Sequence, residues 1–176
     1  MAFINPPPRL PVWLRLGLWY ARRQAGADLL IARLLAWYPR AALSSGMMEA
    51  LVAHPEGRLT ERLLKLVRMQ VSYAAACPFC IAWNGQAPER WAITEAEIAA
   101  LRGLQPLEAV PTFSELERLA LTYARLISQT PLRFPPEFVA ELKARCSERE
   151  IVILAATAAQ VNYWTRLIQA LGAPPA

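Results

Sequence analysis

The chain has 176 residues, 55% of them hydrophobic, and a formal net charge of +5. This length predicts one domain, and so much apolar side chain can fill a core and still cover a subunit interface. No apolar run approaches the roughly 20 residues that a membrane-spanning helix needs, because the best candidate, residues 151–159, is interrupted by Thr157.

The N-terminal segment is rich in arginine but has none of the features of a secretion signal. It runs into three prolines at 6–8 without a basic start, an apolar stretch or a cleavage site, so we expect a cytoplasmic protein. Its basic residues could face an anion or a membrane surface, but we interpret them as a solvated helix face. No basic cluster is interleaved with aromatic residues, which predicts no nucleic-acid binding. The arginines are Arg9, Arg15, Arg22, Arg23, Arg33 and Arg40.

Helical periodicity predicts an all-α fold of about eight helices, with an extended Pro-rich arm before them. No segment alternates polar and apolar residues over a useful length, so we expect no strands. The first four helices are predicted over residues 12–24, 28–38, 41–53 and 59–76.

Later helices are marked by their starting residues. In a Ser/Thr-x-x-Glu signature the hydroxyl accepts a backbone N–H and the carboxylate reaches back to another. Such signatures begin at Thr94, Ser114 and Ser147, and they predict helices that end near residues 102, 129 and 171. The Pro135-Pro136 pair predicts one more helix start, since proline fits the first helical turn.

The stretch Cys77-Pro78-Phe79-Cys80 is the strongest chemical signal in the sequence. Pro78 suits the first turn of a helix, which places Cys77 at its N-cap, where the helix dipole stabilises a thiolate. Cys80 lies one turn further on the same face and can meet Cys77. A thiolate that attacks a peroxide becomes a sulfenic acid, which a neighbouring thiol converts to a disulfide. The simpler alternative is a pair of small buried core residues.

Two other uses of this motif are less well supported. Cys77 and Cys80 could join Cys146 and His54 in a zinc site, but the last two come singly from distant segments. A thioredoxin-like site needs a βαβ context, and the sequence offers no strands. An odd number of cysteines in a reducing compartment also argues against a structural disulfide framework. We therefore predict a redox dithiol without a metal or other cofactor.

The same residues resemble the carboxymuconolactone decarboxylase family and its alkyl hydroperoxidase D-like branch. The resemblance covers residues 31–172 as one helical domain and leaves residues 1–30 as an N-terminal extension. It implies a homo-oligomer (a dimer, trimer or hexamer) with the dithiol near a subunit interface. The matching segments are residues 59–67, 77–84, 115–124 and 147–171, the last with Asn162 and Arg166.

In the peroxidase branch of that family, a Glu before the Cys-x-x-Cys and a His after it relay protons. The second cysteine is usually assigned to attack the peroxide and the first to resolve it. The resemblance therefore implies that Cys80 attacks and Cys77 resolves, whereas the helix-dipole argument favours Cys77 as the more acidic thiol.

The proton relay departs from the family pattern. Lys65 stands at the Glu position and Asn84 at the His position. Asn84 can orient a group but cannot shuttle a proton, and Lys65 could support a thiolate or pair with Glu61 on the helix surface. Candidate supporting residues are therefore Asn84, Lys65, Glu61 and Tyr73, with Gln70 a weaker one.

These observations favour a thiol oxidoreductase that acts through Cys77 and Cys80. Its antioxidant, peroxiredoxin-like reaction would reduce a hydroperoxide or another small-molecule substrate, or exchange disulfides with a redox partner protein. One alternative is a non-catalytic helical oligomer whose dithiol is structural or redox-sensing. Another is a lactone decarboxylase-type acid–base enzyme, which would keep its activity when both cysteines are replaced by alanine.

Overall fold

The computed structural model describes residues 2–25, 30–52 and 54–174. Within those ranges there are nine α-helices and no strand, apart from an isolated antiparallel bridge between Glu56 and Leu59. The predicted all-α fold is confirmed. The α-helices are α1 (Val12–Ala25), α2 (Leu30–Leu34), α3 (Pro39–Leu51), α4 (Glu61–Ala74), α5 (Pro78–Asn84), α6 (Glu95–Leu101), α7 (Glu115–Ile127), α8 (Pro136–Arg145) and α9 (Glu148–Ala170).

The three predicted capping boxes are all formed. Thr94, Ser114 and Ser147 each accept a hydrogen bond from the backbone N–H of the glutamate three residues later. Each glutamate carboxylate in turn accepts the backbone N–H of its capping residue at 2.8 Å. Helices α6, α7 and α9 therefore begin where the sequence predicts, and α8 begins at Pro136 as expected.

The boundaries near the N-terminus differ from the prediction. The segment predicted as one helix over 28–38 is α2 followed by a 3-10 turn, Leu35–Trp37, and residues 28–29 lie outside the described ranges. The next helix is predicted from residue 41, but α3 begins at Pro39, because the fixed φ of proline suits a first turn. The predicted end of α3, at Ala53, also lies outside the described residues.

Helix α4 is the centre of the core because it buries apolar side chains on two sides. Leu63, Val67 and Val71 pack with residues of α7, α8 and α9. Leu66 and Met69 pack into a second cluster with residues of α6 and α7. Burial of each such side chain is worth about 1.5–3 kcal/mol. The end of α4, which leads into the dithiol, is thus anchored from both sides.

A buried ion network fixes α6 and α7 against the start of α4. The side chain of Arg62, in the first turn of α4, is only 24% exposed. It binds Glu97 at 2.6 Å and Glu117 at 2.8 Å, which are the carboxylates of two capping boxes. It also donates to the backbone oxygens of Trp91 and Ala92. One guanidinium therefore neutralises both acidic helix starts.

Helix α9 has the length and composition of a membrane span, whereas the sequence showed only a short apolar run. Its mean hydropathy over 18 residues is 1.2, and among the described helices it is the one that is long and apolar enough to cross a membrane. One face of α9, including Leu154, Ala158 and Val161, is buried in the main core cluster. Such burial is typical of a core helix, and a core helix can have the same length and hydropathy as a membrane span.

We expect Arg62→Met to lower the free energy of unfolding by about 3 kcal/mol, because it leaves Glu97, with 0% exposed side chain, as an unpaired buried charge. Burial raises the pKa of Glu97, but the bonds from Arg62, Thr112 and the Thr94 N–H outweigh burial and lower it overall. The stability that this lowered pKa provides in the wild type is lost as pH falls below about 4.3.

Urea unfolding across pH measures both effects. The gap between wild type and Arg62→Met should narrow on the acid side, where Glu97 becomes protonated in the variant. Arg149→Met is the matched control, since the Arg149 side chain is 75% exposed and pairs with Glu56 at the surface. This substitution should lower the free energy of unfolding by less than about 1 kcal/mol. Equal losses in the two variants would contradict the structural role of the Arg62 network.

Candidate active site

The dithiol lies at a tight connection between α4 and α5. Ala75 caps α4, and Ala76 follows with φ at +46°, a left-handed conformation that alanine adopts at some cost. Gln169, near the end of α9, donates hydrogen bonds to the carbonyl oxygens of Ala75 and Ala76 at 3.1 and 3.3 Å. The chain is thereby turned so that Cys77 starts the next helix.

Cys77 is the N-cap of α5 and Pro78 is its first residue, as the sequence predicts. The Cys77 sulfur accepts the backbone N–H of Cys80 at 3.3 Å. The two sulfur atoms lie 2.8 Å apart and share a hydrogen bond, and both cysteines are free thiols. Relative exposures of 0% for Cys77 and 3% for Cys80 place both cysteines in the protein interior.

The shared hydrogen bond separates the acidities of the two thiols. In the singly ionised pair the Cys80 thiol donates to the Cys77 sulfur and, with the backbone N–H groups of Cys80 and Phe79, lowers the pKa of Cys77 to about 7, although burial raises it. The same bond raises the pKa of Cys80 above its ordinary range, and burial adds to the increase. The dithiol therefore gives up one proton near neutral pH and keeps the other.

Cys80 forms part of the wall of a cavity of about 130 Å³. Six of its lining residues are apolar, and Cys80 lies among them with three polar residues, Glu49, Arg68 and Asn84. Cys77 is not among the lining residues, so Cys80 is the thiol that a molecule in the cavity would meet. The apolar residues are Ile31, Phe79, Trp83, Val161, Trp164 and Ile168.

The polar side of the cavity joins three helices. Arg68 on α4 donates from Nη2 to Oε1 of Glu49 on α3, at 3.1 Å, and to Oε1 of Gln160 on α9, at 2.7 Å. The other oxygen of Glu49 accepts Nε2–H of Gln160 at 2.8 Å and Nε1–H of Trp164 at 3.0 Å. Sequence reasoning does not find this network, because Glu49, Arg68 and Gln160 come from three separate helices and meet only in the folded chain.

Of the predicted supporting residues, the cavity includes Asn84. Its Nδ2 donates to the Ser72 hydroxyl at 2.9 Å, and that hydroxyl donates to the carbonyl oxygen of Arg68 at 2.8 Å. Because Ser72 is fully buried, this hydrogen bond fixes the Asn84 amide at the wall that also contains Cys80.

Lys65, Glu61, Tyr73 and Gln70 do not line this cavity. The Lys65 ammonium donates to the carbonyl oxygen of Gln86 at 3.2 Å and lies 4.5 Å from the centroid of the Trp91 ring. Burial, followed by repulsion from nearby arginines, lowers the pKa of Lys65. Tyr73 and Gln70 line a separate open cleft of about 850 Å³, and Glu61 is exposed in the first turn of α4.

The other two residues of the zinc alternative have separate surroundings. Cys146 packs in the main core cluster, and the His54 ring bonds the carbonyl oxygen of Ala50 at the end of α3. Across the described part of the chain no three His, Cys, Asp or Glu side chains converge as metal ligands do.

Comparison with known proteins identifies the fold. No family model matches the chain, and no curated protein matches it significantly. Solved structures do match along nearly the whole chain. An uncharacterised peroxidase-related protein from Silicibacter sp. TM1040 has a TM-score of 0.82 at 15% identity, over 99% of this chain and 92% of that one. The alkylhydroperoxidase AhpD core of a peroxidase-related protein from Ralstonia eutropha JMP134 has a TM-score of 0.78 at 16% identity, over 98% and 91%.

The chain has the AhpD-like fold. This confirms, at the level of the fold, the resemblance read from the sequence. The debrominase Bmp8 has the same fold, with a TM-score of 0.78 at 20% identity over 99% of this chain and 92% of that one. A cysteine-to-alanine variant of Bmp8 in complex with 2,3,4-tribromopyrrole matches equally well.

We expect the reduced wild type to show one thiolate that titrates with an apparent pKa of about 7. Cys80→Ala removes the donating thiol, so the pKa of Cys77 should rise toward the free-cysteine value of about 8.5. The ultraviolet absorbance of the thiolate, followed against pH, measures this shift.

Cys146→Ser is the control for the titration. Burial raises the pKa of Cys146, so this thiol contributes no thiolate near neutral pH and the curve should not change. Two thiols that titrate together above about 8.5 would contradict the shared-proton geometry and would favour a structural dithiol.

Proposed function

We propose that this protein is a thiol-dependent oxidoreductase that reduces small apolar hydroperoxides through Cys77 and Cys80. The observation that carries the proposal is a pair of cysteine sulfur atoms 2.8 Å apart, one of them from a residue that lines a mostly apolar cavity. A pair that is merely structural has no need of a lowered pKa on one sulfur and a ligand-sized space beside the other.

The chemistry follows from the shared proton. As Cys80 attacks, its proton passes to the Cys77 thiolate, which already lies at hydrogen-bond distance. The Cys80 sulfur takes the terminal peroxide oxygen, the O–O bond breaks, and the remaining oxygen leaves as an alkoxide that acquires a proton from water. The Cys77 thiol then condenses with the Cys80 sulfenic acid to give a disulfide and water. A dithiol reductant, either a small molecule or a partner protein, returns the pair to its reduced form by exchange.

This order of events agrees with the one that the family resemblance implies, in which the second cysteine attacks. It also accounts for the acidity of Cys77, because a thiolate there acts as the base for Cys80 rather than as the nucleophile. The missing His and Glu of the family relay are therefore not needed for the first proton transfer. The peroxidase-related proteins that share the fold support this class of activity.

The cavity sets the class of substrate. A volume of about 130 Å³ and a mostly apolar lining suit a small alkyl or aryl hydroperoxide. Three aromatic residues line the wall: Phe79 and Trp83 on α5, whose ring centroids lie 6.3 Å apart, and Trp164 on α9. Such a surface binds the apolar body of an organic hydroperoxide, whereas hydrogen peroxide gains nothing from it.

Reductive debromination of a small aromatic ring is a second candidate. It is favoured by the aromatic wall around Cys80 and by the Bmp8 complex with 2,3,4-tribromopyrrole. A dithiol can also supply the two electrons for this reaction. Two thiols and a carbon–bromine bond give a disulfide, a carbon–hydrogen bond and hydrogen bromide. Release of bromide from a brominated pyrrole, in step with disulfide formation, would establish this reaction.

Assembly into a homo-oligomer remains a prediction. Several large apolar side chains on α1 and α3 are exposed, and they supply surface for contact with a further copy of the chain. They are Val12, Leu16, Trp19, Leu43, Met47 and Leu51.

We expect the reduced protein to lose two hydrogens when it is treated with cumene hydroperoxide and examined by intact mass. Hydrogen peroxide should react at least about 10-fold more slowly, because it leaves the aromatic wall unused. Stopped-flow tryptophan fluorescence provides the rate, since Trp83 and Trp164 border the cavity.

Two variants test the assignment of this oxidation. Cys146→Ser should behave as the wild type, whereas a double variant with alanine at positions 77 and 80 should be inert. A wild-type dithiol that does not change in mass would overturn the proposed function, and bromide release in the same preparation would point to the second candidate.

A further inference from the structure

We propose that Arg68 is a catalytic residue that donates a hydrogen bond from Nε to the oxygen that leaves the peroxide, and that Glu49 is its positioning residue. The inference rests on the proposed hydroperoxide reduction, and it names a group that the sequence motif does not contain.

The first observation is a buried donor without an acceptor. Arg68 Nε is shielded from solvent and, within the described residues, has no hydrogen-bond partner. Buried N–H groups are nearly always paired, and one that is not raises the free energy of the protein. Arg68 lines the same small cavity as Cys80. A substrate oxygen bound beside the Cys80 sulfur would provide the acceptor that the protein itself does not.

The second observation is that the guanidinium is held in place. Its Nη2 is bound by Glu49 and Gln160, and Glu49 is bound in turn by Gln160 and Trp164. These contacts tie α4 to α3 and α9, so a ligand does not have to order the arginine when it binds. A donor that is fixed before the reaction is the arrangement that best stabilises developing charge.

The chemistry of the site needs such a group. Two electrons from the Cys80 sulfur form the S–O bond while the O–O bond breaks, and its electron pair stays on the departing alkoxide oxygen. The family's histidine is replaced by Asn84, whose Nδ2 is committed to the Ser72 hydroxyl. A guanidinium stabilises the oxyanion without giving up its own proton, and water then protonates the alkoxide.

The test compares two oxidants whose leaving groups differ in basicity, and therefore in how much they gain from a hydrogen-bond donor. Cumene hydroperoxide releases a strongly basic alkoxide, whereas peracetic acid releases a carboxylate that is stable in water. With Arg68→Met, the rate constant for Cys80 oxidation should fall about 100-fold with cumene hydroperoxide. With peracetic acid the fall should be less than about 10-fold, because little stabilisation is lost.

Arg149→Met is the matched control, because it removes an exposed cation on α9 that pairs with Glu56, and both rates should stay at the wild-type values. Glu49→Gln should lower the cumene hydroperoxide rate by a smaller factor than Arg68→Met, with the same contrast between oxidants. If Arg68→Met does not fold, Arg68→Lys is compared in its place, since it keeps a positive charge near Glu49 but lacks Nε.

Each outcome separates the two proposals. A wild type that is inert to cumene hydroperoxide overturns the proposed function and this inference with it. A reactive wild type, with equal losses for both oxidants or no loss in the Arg68 variants, overturns this inference alone and leaves the dithiol mechanism standing.

Discussion

Cys77 has two roles at once, and the geometry of the site depends on their coexistence. As the N-cap of α5 its sulfur accepts the backbone N–H of Cys80, and as one half of the dithiol it shares a proton with the Cys80 side chain. Both bonds favour the thiolate on Cys77, and burial of the pair opposes it. The proton is therefore left on Cys80, the residue that lines the cavity. In the proposed mechanism the more acidic thiol serves as the base for the less acidic one.

This arrangement relies on how the surrounding helices are anchored. Arg62 on α4 forms ion pairs with the carboxylates at the starts of α6 and α7, and apolar side chains of α4 pack into a core cluster on each side of the helix. At the other end of α4, Gln169 from α9 binds the carbonyl oxygens of the left-handed turn at Ala76. The dithiol thus lies where a rigid helix meets a strained connection, which favours a fixed distance between the sulfur atoms.

The parts of the structure that could be predicted are those whose signals are local. A capping box needs only two residues three positions apart, so the starts of α6, α7 and α9 can be predicted from the sequence. The ring of Pro78 suits the first turn of a helix, which predicts that Cys77 is an N-cap. The Glu49–Arg68–Gln160–Trp164 network was not, because its members come from three helices and meet only in the folded chain. Arg68 and Arg62 are charged residues on one amphipathic helix, and periodicity alone does not distinguish a buried guanidinium from a solvated one. Lys65 shows the converse: it occupies a position of the family motif, yet its ammonium contacts Trp91 and Gln86.

Comparison of the two single cysteine variants tests whether Cys80 attacks the peroxide and Cys77 resolves the sulfenic acid. Reduced Cys77→Ser and Cys80→Ser are each treated with cumene hydroperoxide in the presence of a cyclic diketone that traps sulfenic acids, and the adduct is located by peptide mass. The expected result is an adduct on Cys80 in Cys77→Ser, formed more slowly than the wild type is oxidised because the Cys77 base is missing, and none on Cys77 in Cys80→Ser. An adduct on Cys77 in Cys80→Ser, with an unreactive Cys80 in Cys77→Ser, would contradict this assignment of roles.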